Sequence, residues 1–263
     1  MKTYYDLSFW DKRAQQDVNF SSVVAPDDKI GLKTKYLNII HQKYIGKEIL
    51  ELAANSSILD FGCGVGRLSQ WDIFKNHFHV GIDRSPRMIE VAKTYFIKSK
   101  NVTFNSYDGE TIPYINNSFD CIISIGVLQH VIDDNSLMNL LNEFSRVLKS
   151  NGKILLFEQT SDIEKFEYIE SNIAFKKIRT IENYINLFNP NFKFEVSKKT
   201  DGLVSYGFFY RSLYIFSQLH LSFIKPFIKW FVRFDQLYYY FITKLHILKP
   251  KRLDTFILFR KKN

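Results

Sequence analysis

Asp60, Gly62, Gly64 and Gly66 stand at alternate positions in the run I-L-D-F-G-C-G-V-G-R at 58–67, and their spacing is the strongest chemical signal in the chain. Glycine lets a backbone turn sharply and lets a ligand approach with no Cβ in the way. An apolar strand over Ile58–Phe61, a glycine turn, and a helix opening near Arg67 with Leu68, Trp71 and Phe74 on one face would form a nucleotide cradle. The free N–H groups of that helix start would lie beside the ligand. The dinucleotide fingerprint G-x-G-x-x-G needs its third glycine at position 67, where Arg67 stands instead. His77–Asp83 then reads as a strand ending in an acid about 20 residues beyond the glycines, where a carboxylate accepts hydrogen bonds from ribose hydroxyls. Asp83 could instead cap the next helix, but Ser85 and Pro86 already offer a cap and a first-turn proline.

A second group of titratable residues follows another apolar run. Phe119–Ile125 suits a parallel strand buried on both faces, and its exit, Gly126-Val127-Leu128-Gln129-His130, brings an imidazole to the sheet edge. Imidazole near neutral pH can take the proton of an attacking hydroxyl. The alternative for His130 is a helix-start or packing role. Asp133-Asp134-Asn135 has the composition of a cation site, but short polar residues also cap helices. Leu137–Leu148 is amphipathic, so the cap is the expectation and no metal is assigned. Glu158 ends a strand over 153–158, at the carboxyl edge where open α/β sheets bind ligands. It would contact substrate or help hold a cation, or else be a surface turn acid.

Several segments fall in a familiar order. These are D-F-G-C-G-V-G at 60–66, Asp83 followed by R-S-P-R-M at 84–88, Tyr107-Asp108-Gly109 after the short strand Val102–Phe104, the run at 119–130, and L-N-E-F-S-R-V-L-K-S-N-G-K-I-L-L at 141–156. Over about residues 55–200 plus the last strand, the chain resembles the class I S-adenosylmethionine-dependent methyltransferases. The resemblance implies a three-layer, Rossmann-like α/β fold, with a mostly parallel seven-stranded sheet whose last strand is antiparallel. It implies S-adenosyl-L-methionine as cofactor. Asp60 with Gly62, Gly64 and Gly66 would hold its amino-acid part, and Asp83, followed by Arg84, its ribose. Met88 would lie near the adenosine, Asp108 with Gly109 would meet the adenine amine, and Ile125 and Gly126 would border the methionine end. The reaction would be in-line attack by an acceptor oxygen or nitrogen on the sulfonium methyl, with His130 and Glu158 as catalytic candidates. The chain has no D-P-P-Y or N-P-P-Y run and no Pro-Cys pair, which points away from nucleobases.

The chain divides into a helical cap or lid at 1–57, a cofactor-binding core at 58–202, an aromatic, basic insertion at 203–252, and the final strand at 253–263. The N-terminal part shows helical periodicity from Leu32 to Leu52, broken near Gly46. It would pack on the sheet or close over the cofactor, with Tyr4, Trp10 and Arg13 as lid candidates. The family usually joins its last two strands by a short turn, whereas about 50 residues stand between them here. The insertion holds eight basic residues against one acid, Asp235, and so most of the formal charge of +9. Lys225, Lys229 and Arg233 recur every four residues, as on one helical face. The segment could roof the acceptor pocket (Tyr206, Tyr210, Arg211 and His220), lie on a membrane surface, or make a homodimer contact. Basic residues among aromatics also suit single-stranded RNA, but no RNA-binding module accompanies them.

The expected acceptor is a small molecule, a glycan or a lipid-linked intermediate, with RNA or protein as the second choice. A partner subunit without turnover is the non-enzyme alternative. The chain starts with no apolar leader and contains no spanning apolar stretch. Cys63 and Cys121 have no metal or disulfide spacing. The expected setting is therefore the cytoplasm, with peripheral membrane contact through 203–250 as a further option.

Overall fold

A computed structural model describes residues 7–15, 20, 28–169, 174–200, 208–244 and 253–262. Two helices come first, α1 (Leu7–Gln15) and α2 (Leu32–Leu50). Then follow β1 (Ser57–Phe61), β2 (Phe78–Asp83), α3 (Pro86–Tyr95), β3 (Val102–Ser106), β4 (Phe119–Ile125), α4 (Asp134–Val147) and β5 (Leu148–Thr160). A hairpin of β6 (Lys165–Ile169) and β7 (Ala174–Ile178) leads to α5 (Ile181–Phe188) and β8 (Phe192–Lys199). The insertion carries α6 (Phe208–Gln218) and α7 (Ile228–Lys244), and β9 (Leu253–Lys261) completes the sheet.

The seven-stranded sheet runs β3-β2-β1-β4-β5-β9-β8. β9 lies antiparallel between β5 and β8, and the other pairs are parallel, as the resemblance implies. Successive strand residues face opposite sides, and the core divides accordingly. Ile58, Cys121, Ile123, Leu155 and Phe157 pack with α2. Leu59, Ile122, Ile154 and Leu156 pack with α4 and α5 on the other face. Both cysteines are free, buried thiols. Near the end of α2, Glu48 and Glu51 accept hydrogen bonds from Lys153 of β5 at 2.7 and 2.8 Å.

Three expectations need correction, and one hairpin was missed. The helix opening near Arg67 is absent. Two short 3₁₀ turns, Leu68–Gln70 and Asp72–Phe74, replace it, separated by Trp71 in extended backbone at φ −79°, ψ 131°. With Trp71 extended, no continuous i→i−4 ladder can run through the segment before the chain regains the sheet at Phe78. α2 runs unbroken through Gly46, where a Cβ would meet only Ile73 at 3.8 Å, an ordinary contact. The β6–β7 hairpin was not foreseen: the alternation of Lys165-Phe166-Glu167-Tyr168 is short, and Lys176-Lys177 interrupts it in the partner strand. Lys225 belongs to the 3₁₀ segment Ser222–Phe227, which contains Pro226, so it does not share a helix with Lys229 and Arg233.

α6 and α7 pack against α2 through Leu213, Ile228 and Val232. Asp235 is fully buried there, accepting hydrogen bonds from the Tyr36 hydroxyl at 2.8 Å and the Phe209 N–H at 3.1 Å. Among the described residues, no helix is long and apolar enough to cross a membrane.

Candidate active site

The loop after β1 is tied down by its neighbours. The Gly62 and Cys63 N–H groups both donate to the Ile82 carbonyl, at 2.8 and 3.0 Å. Gly62 has φ +73°, and a Cβ there would sit 2.4 Å from Val127 Cγ2, so only glycine passes beneath the exit of β4. Gly64 donates its N–H to Asp83 Oδ2 at 2.9 Å. Gly66 lies against the Phe104 ring, 2.8 Å from where a Cβ would stand.

Parallel pairing brings the acids to one sheet edge. Asp60 is level with Gly81 and Ile123, and Asp83 with Ser106. Asp83 is doubly engaged, since Oδ1 also accepts from the Ser85 N–H at 2.9 Å. It therefore anchors both the glycine loop and the turn before α3, while Ser85 makes the expected cap, accepting from the Met88 N–H at 3.2 Å. Burial raises the Asp83 pKa. Each of its oxygens keeps a lone pair for a further donor.

Asp60 is buried, and its Oδ2 has no hydrogen-bond partner. Burial pushes its pKa up to about 7, against the opposing pull of Arg67. The nearest ring nitrogen, His79 Nε2 at 3.9 Å, offers no charge, because burial drives the His79 pKa down to about 3. A buried carboxylate oxygen without a donor suits a cationic ligand group.

Asp108 is exposed and accepts the Glu110 and Thr111 N–H groups on Oδ1, at 2.8 and 3.0 Å. These bonds lower its pKa and leave Oδ2 out of the turn. Gly109 lies under Arg84: a Cβ there would stand 2.4 Å from Arg84 Nε. Met88 is buried with Val65 and Ala14. Ile125 is half-buried, and Gly126 turns at φ +69° with its N–H on the Phe157 carbonyl at 2.7 Å.

The turn after β4 corrects the reading of Glu158. The carboxylate is buried, and all its bonds serve the 3₁₀ turn Leu128–His130. Oε1 accepts from Val127 and Leu128 at 3.0 and 2.9 Å, and Oε2 from Gln129 at 3.2 Å. Glu158 is thus neither a surface acid nor a group free to meet substrate. Burial lifts its pKa to about 7. The other side of the turn is held by Arg179, which sequence reasoning missed. Arg179 is fully buried. It donates to the Leu128 and Val131 carbonyls at 3.2 and 2.6 Å, and through Nε and Nη2 to Asp134 Oδ1 at 3.1 and 2.7 Å. Asp133 caps α4 by accepting from the Ser136 N–H at 2.7 Å. Among the described residues no group of His, Cys, Asp and Glu could hold a metal ion.

His130, so fixed, is buried with its ring edge-on to Trp10 at 5.7 Å. α1 lies over this edge. Ala14 and Trp10 pack on Val65 and Met88, Asp11 accepts a hydrogen bond from the Ser85 hydroxyl, and Arg13 covers the Trp10 ring at 5.4 Å. Tyr4 and Tyr206 lie outside the described residues. Tyr210 and Arg211 fall on α6, and His220 is exposed in the turn after it at φ +53°. Arg67 was also missed as a site residue. It is buried, donates to Asn38 Oδ1, and lies 3.4 Å from His41 Nδ1, so it joins α2 to the loop beside Asp60.

Residues 59–156 match the family model described as a methyltransferase domain. A demethylmenaquinone methyltransferase of Tropheryma whipplei is 27% identical over 139 residues, 53% of this chain and 56% of that protein. Phosphoethanolamine N-methyltransferase 1 of Arabidopsis thaliana is 35% identical over 130 residues, 47% of this chain and 26% of that protein. The chain thus spans about half, or less, of the length of these relatives. Among solved structures, phosphoethanolamine N-methyltransferase 2 of Haemonchus contortus in complex with S-adenosyl-L-methionine superimposes with a TM-score of 0.59 at 18% identity, over 94% of this chain and 61% of that one.

Proposed function

We propose that this chain, a class I S-adenosylmethionine-dependent methyltransferase by family and fold, methylates an oxygen or nitrogen of a small-molecule, glycan or lipid-linked acceptor in the cytoplasm. The observation that carries the reading is the buried Asp60 Oδ2, without a donor, beside a glycine loop that Asp83 ties in place. Bound S-adenosylmethionine supplies a methyl activated on a sulfonium. Asp60 would accept from its ammonium group, Asp83 from the ribose hydroxyls, and Asp108 from the adenine amine. Little covalent help is needed from the protein, and holding nucleophile and methyl in line supplies much of the acceleration. His130 would take the proton of a hydroxyl acceptor, and an amine already neutral needs no base. Glu158 and Arg179 act through the turn that carries His130.

Asp60 gives the reading a pH signature. Its carboxyl holds a proton up to about pH 7 in the free protein, and a cation at Oδ2 favours the ionised form. Affinity for S-adenosylmethionine should therefore rise with pH up to about 7, by at most about tenfold per pH unit, with proton release on binding. Calorimetry in buffers of different ionisation enthalpy measures that release. Asp60→Asn should abolish it, and release that persists in this variant would exclude Asp60 as its source.

The direct test is titration with S-adenosylmethionine and S-adenosylhomocysteine, followed by a methyl-transfer screen of phospho-amines, quinols, sugars and lipid-linked acceptors. Binding of both ligands with turnover on one acceptor class supports the reading. Binding without turnover on any would favour the partner-subunit alternative, and binding of neither would overturn both.

A further inference from the structure

Most of the exposed large apolar side chains among the described residues lie between Tyr214 and Phe241. On α7, Ile228, Val232 and Asp235 are buried toward the body of the protein. Trp230, Phe234, Leu237 and Phe241 recur at three- and four-residue spacing on another face, so they form one stripe along the helix. They are 43–59% exposed, and Phe223 and Phe227 in the preceding 3₁₀ segment reach 69% and 57%. The stripe is braced from within. Phe209 of α6 stacks on Phe231 at 4.3 Å and meets Phe234 edge-on at 5.1 Å. Single apolar residues on a surface need no partner, but a continuous apolar stripe marks an interaction face.

Charge identifies what the face meets. Lys229, Arg233 and Lys244 are exposed along α7. Asp235, the sole acid between residues 208 and 244, is buried and occupied by Tyr36 and Phe209. A two-fold dimer through this face would set the same basic surface against itself. An anionic bilayer supplies the opposite charge and a boundary zone that takes Trp, Tyr and Phe with their edges wet. Partial insertion of an in-plane helix also needs no spanning length.

We infer that α7 and the 3₁₀ segment before it form a docking surface for an anionic membrane. Trp230, Phe234, Leu237 and Phe241 enter the headgroup boundary, and Lys229, Arg233 and Lys244 pair with lipid phosphates. The inference deepens the methyl-transfer reading, since a docked enzyme would meet a lipid-linked acceptor at the surface that holds it.

The test is sedimentation of the full chain with phosphatidylcholine vesicles, with and without a phosphatidylglycerol fraction. Binding is expected only with the anionic lipid, weakening as salt rises. The double variant Trp230→Glu/Phe234→Glu should weaken it by about tenfold or more, and Lys229→Glu/Arg233→Glu by a similar factor. S-adenosylmethionine affinity should stay at the wild-type value in both variants; the Trp230/Phe234 variant, which loses its packing on Phe209, should remain folded and melt only a few degrees lower. No sedimentation of the wild type, or equal sedimentation of the variants, overturns the inference. A wild-type dimer that becomes monomeric in the Trp230/Phe234 variant, with no vesicle binding by either, would assign the face to self-association. Vesicle binding without S-adenosylmethionine binding would leave the docking surface standing and remove the enzymatic reading instead.

Discussion

Asp83→Ala is expected to weaken S-adenosylmethionine binding by about a hundredfold or more, measured by calorimetric titration. Two losses combine. The ribose hydroxyls lose a charged acceptor, and hydrogen bonds to charged groups contribute about 1.5–3 kcal/mol each. The Gly64 and Ser85 N–H groups also lose the oxygens that hold them at 2.9 Å. The glycine loop and the start of α3 are then free to drift, and the preformed cradle is lost with them. A penalty of about 3 kcal/mol corresponds to roughly a hundredfold in affinity. Asp83→Asn, which keeps one acceptor oxygen, should fall between the two. Wild-type affinity in a folded Asp83→Ala protein would place the cofactor elsewhere.

Arg179→Ala should produce the largest loss of stability among single changes near the site, about 3–5 kcal/mol in denaturant unfolding. The guanidinium is fully buried and serves two carbonyls and Asp134 at once. Its removal strands those acceptors and leaves Asp134 with Lys177, whose Nζ donates at 2.8 Å. For a chain of this size the melting temperature should fall by about 10 °C. Acceptor turnover should fall further than cofactor affinity, because the released segment carries His130 while Asp60 and Asp83 stay in place. A loss below about 1 kcal/mol would mean that Glu158 alone holds the turn.

The local rules were legible before the fold was seen. A continuous apolar run marked β4, Ser85-Pro86 announced the start of α3, and Asp133 the start of α4, because each depends on residues within one turn or one strand. The family resemblance carried by the order of glycines and acids implied the sheet, and in it parallel strands joined by crossovers carry successive carboxyl ends to one edge. Spacing along the chain could not reveal who pairs with whom across it. Glu158 meets Val127 from 31 residues away, and Arg179 meets Asp134 from 45. The chemistry of each group depends on burial that packing alone sets. The same holds for Asp60, a strand-end acid whose raised pKa comes from burial that its spacing does not show.

The insertion shows the division most plainly. Its composition, aromatic and basic with one acid, is a property of the sequence. Which apolar stripe of α7 turns inward was decided only when Tyr36 of α2 and the Phe209 backbone found Asp235. Leaving this carboxylate buried without donors would be costly, so the contact favours the rotation that turns Asp235 inward. Ile228 and Val232 follow it into the core, and Trp230, Phe234 and Leu237 are left facing outward. The amino-acid sequence determined the cradle, its acids and the supply of aromatic and basic groups. The tertiary structure decided their burial, their partners and the direction they face, because those depend on contacts between residues far apart in the chain.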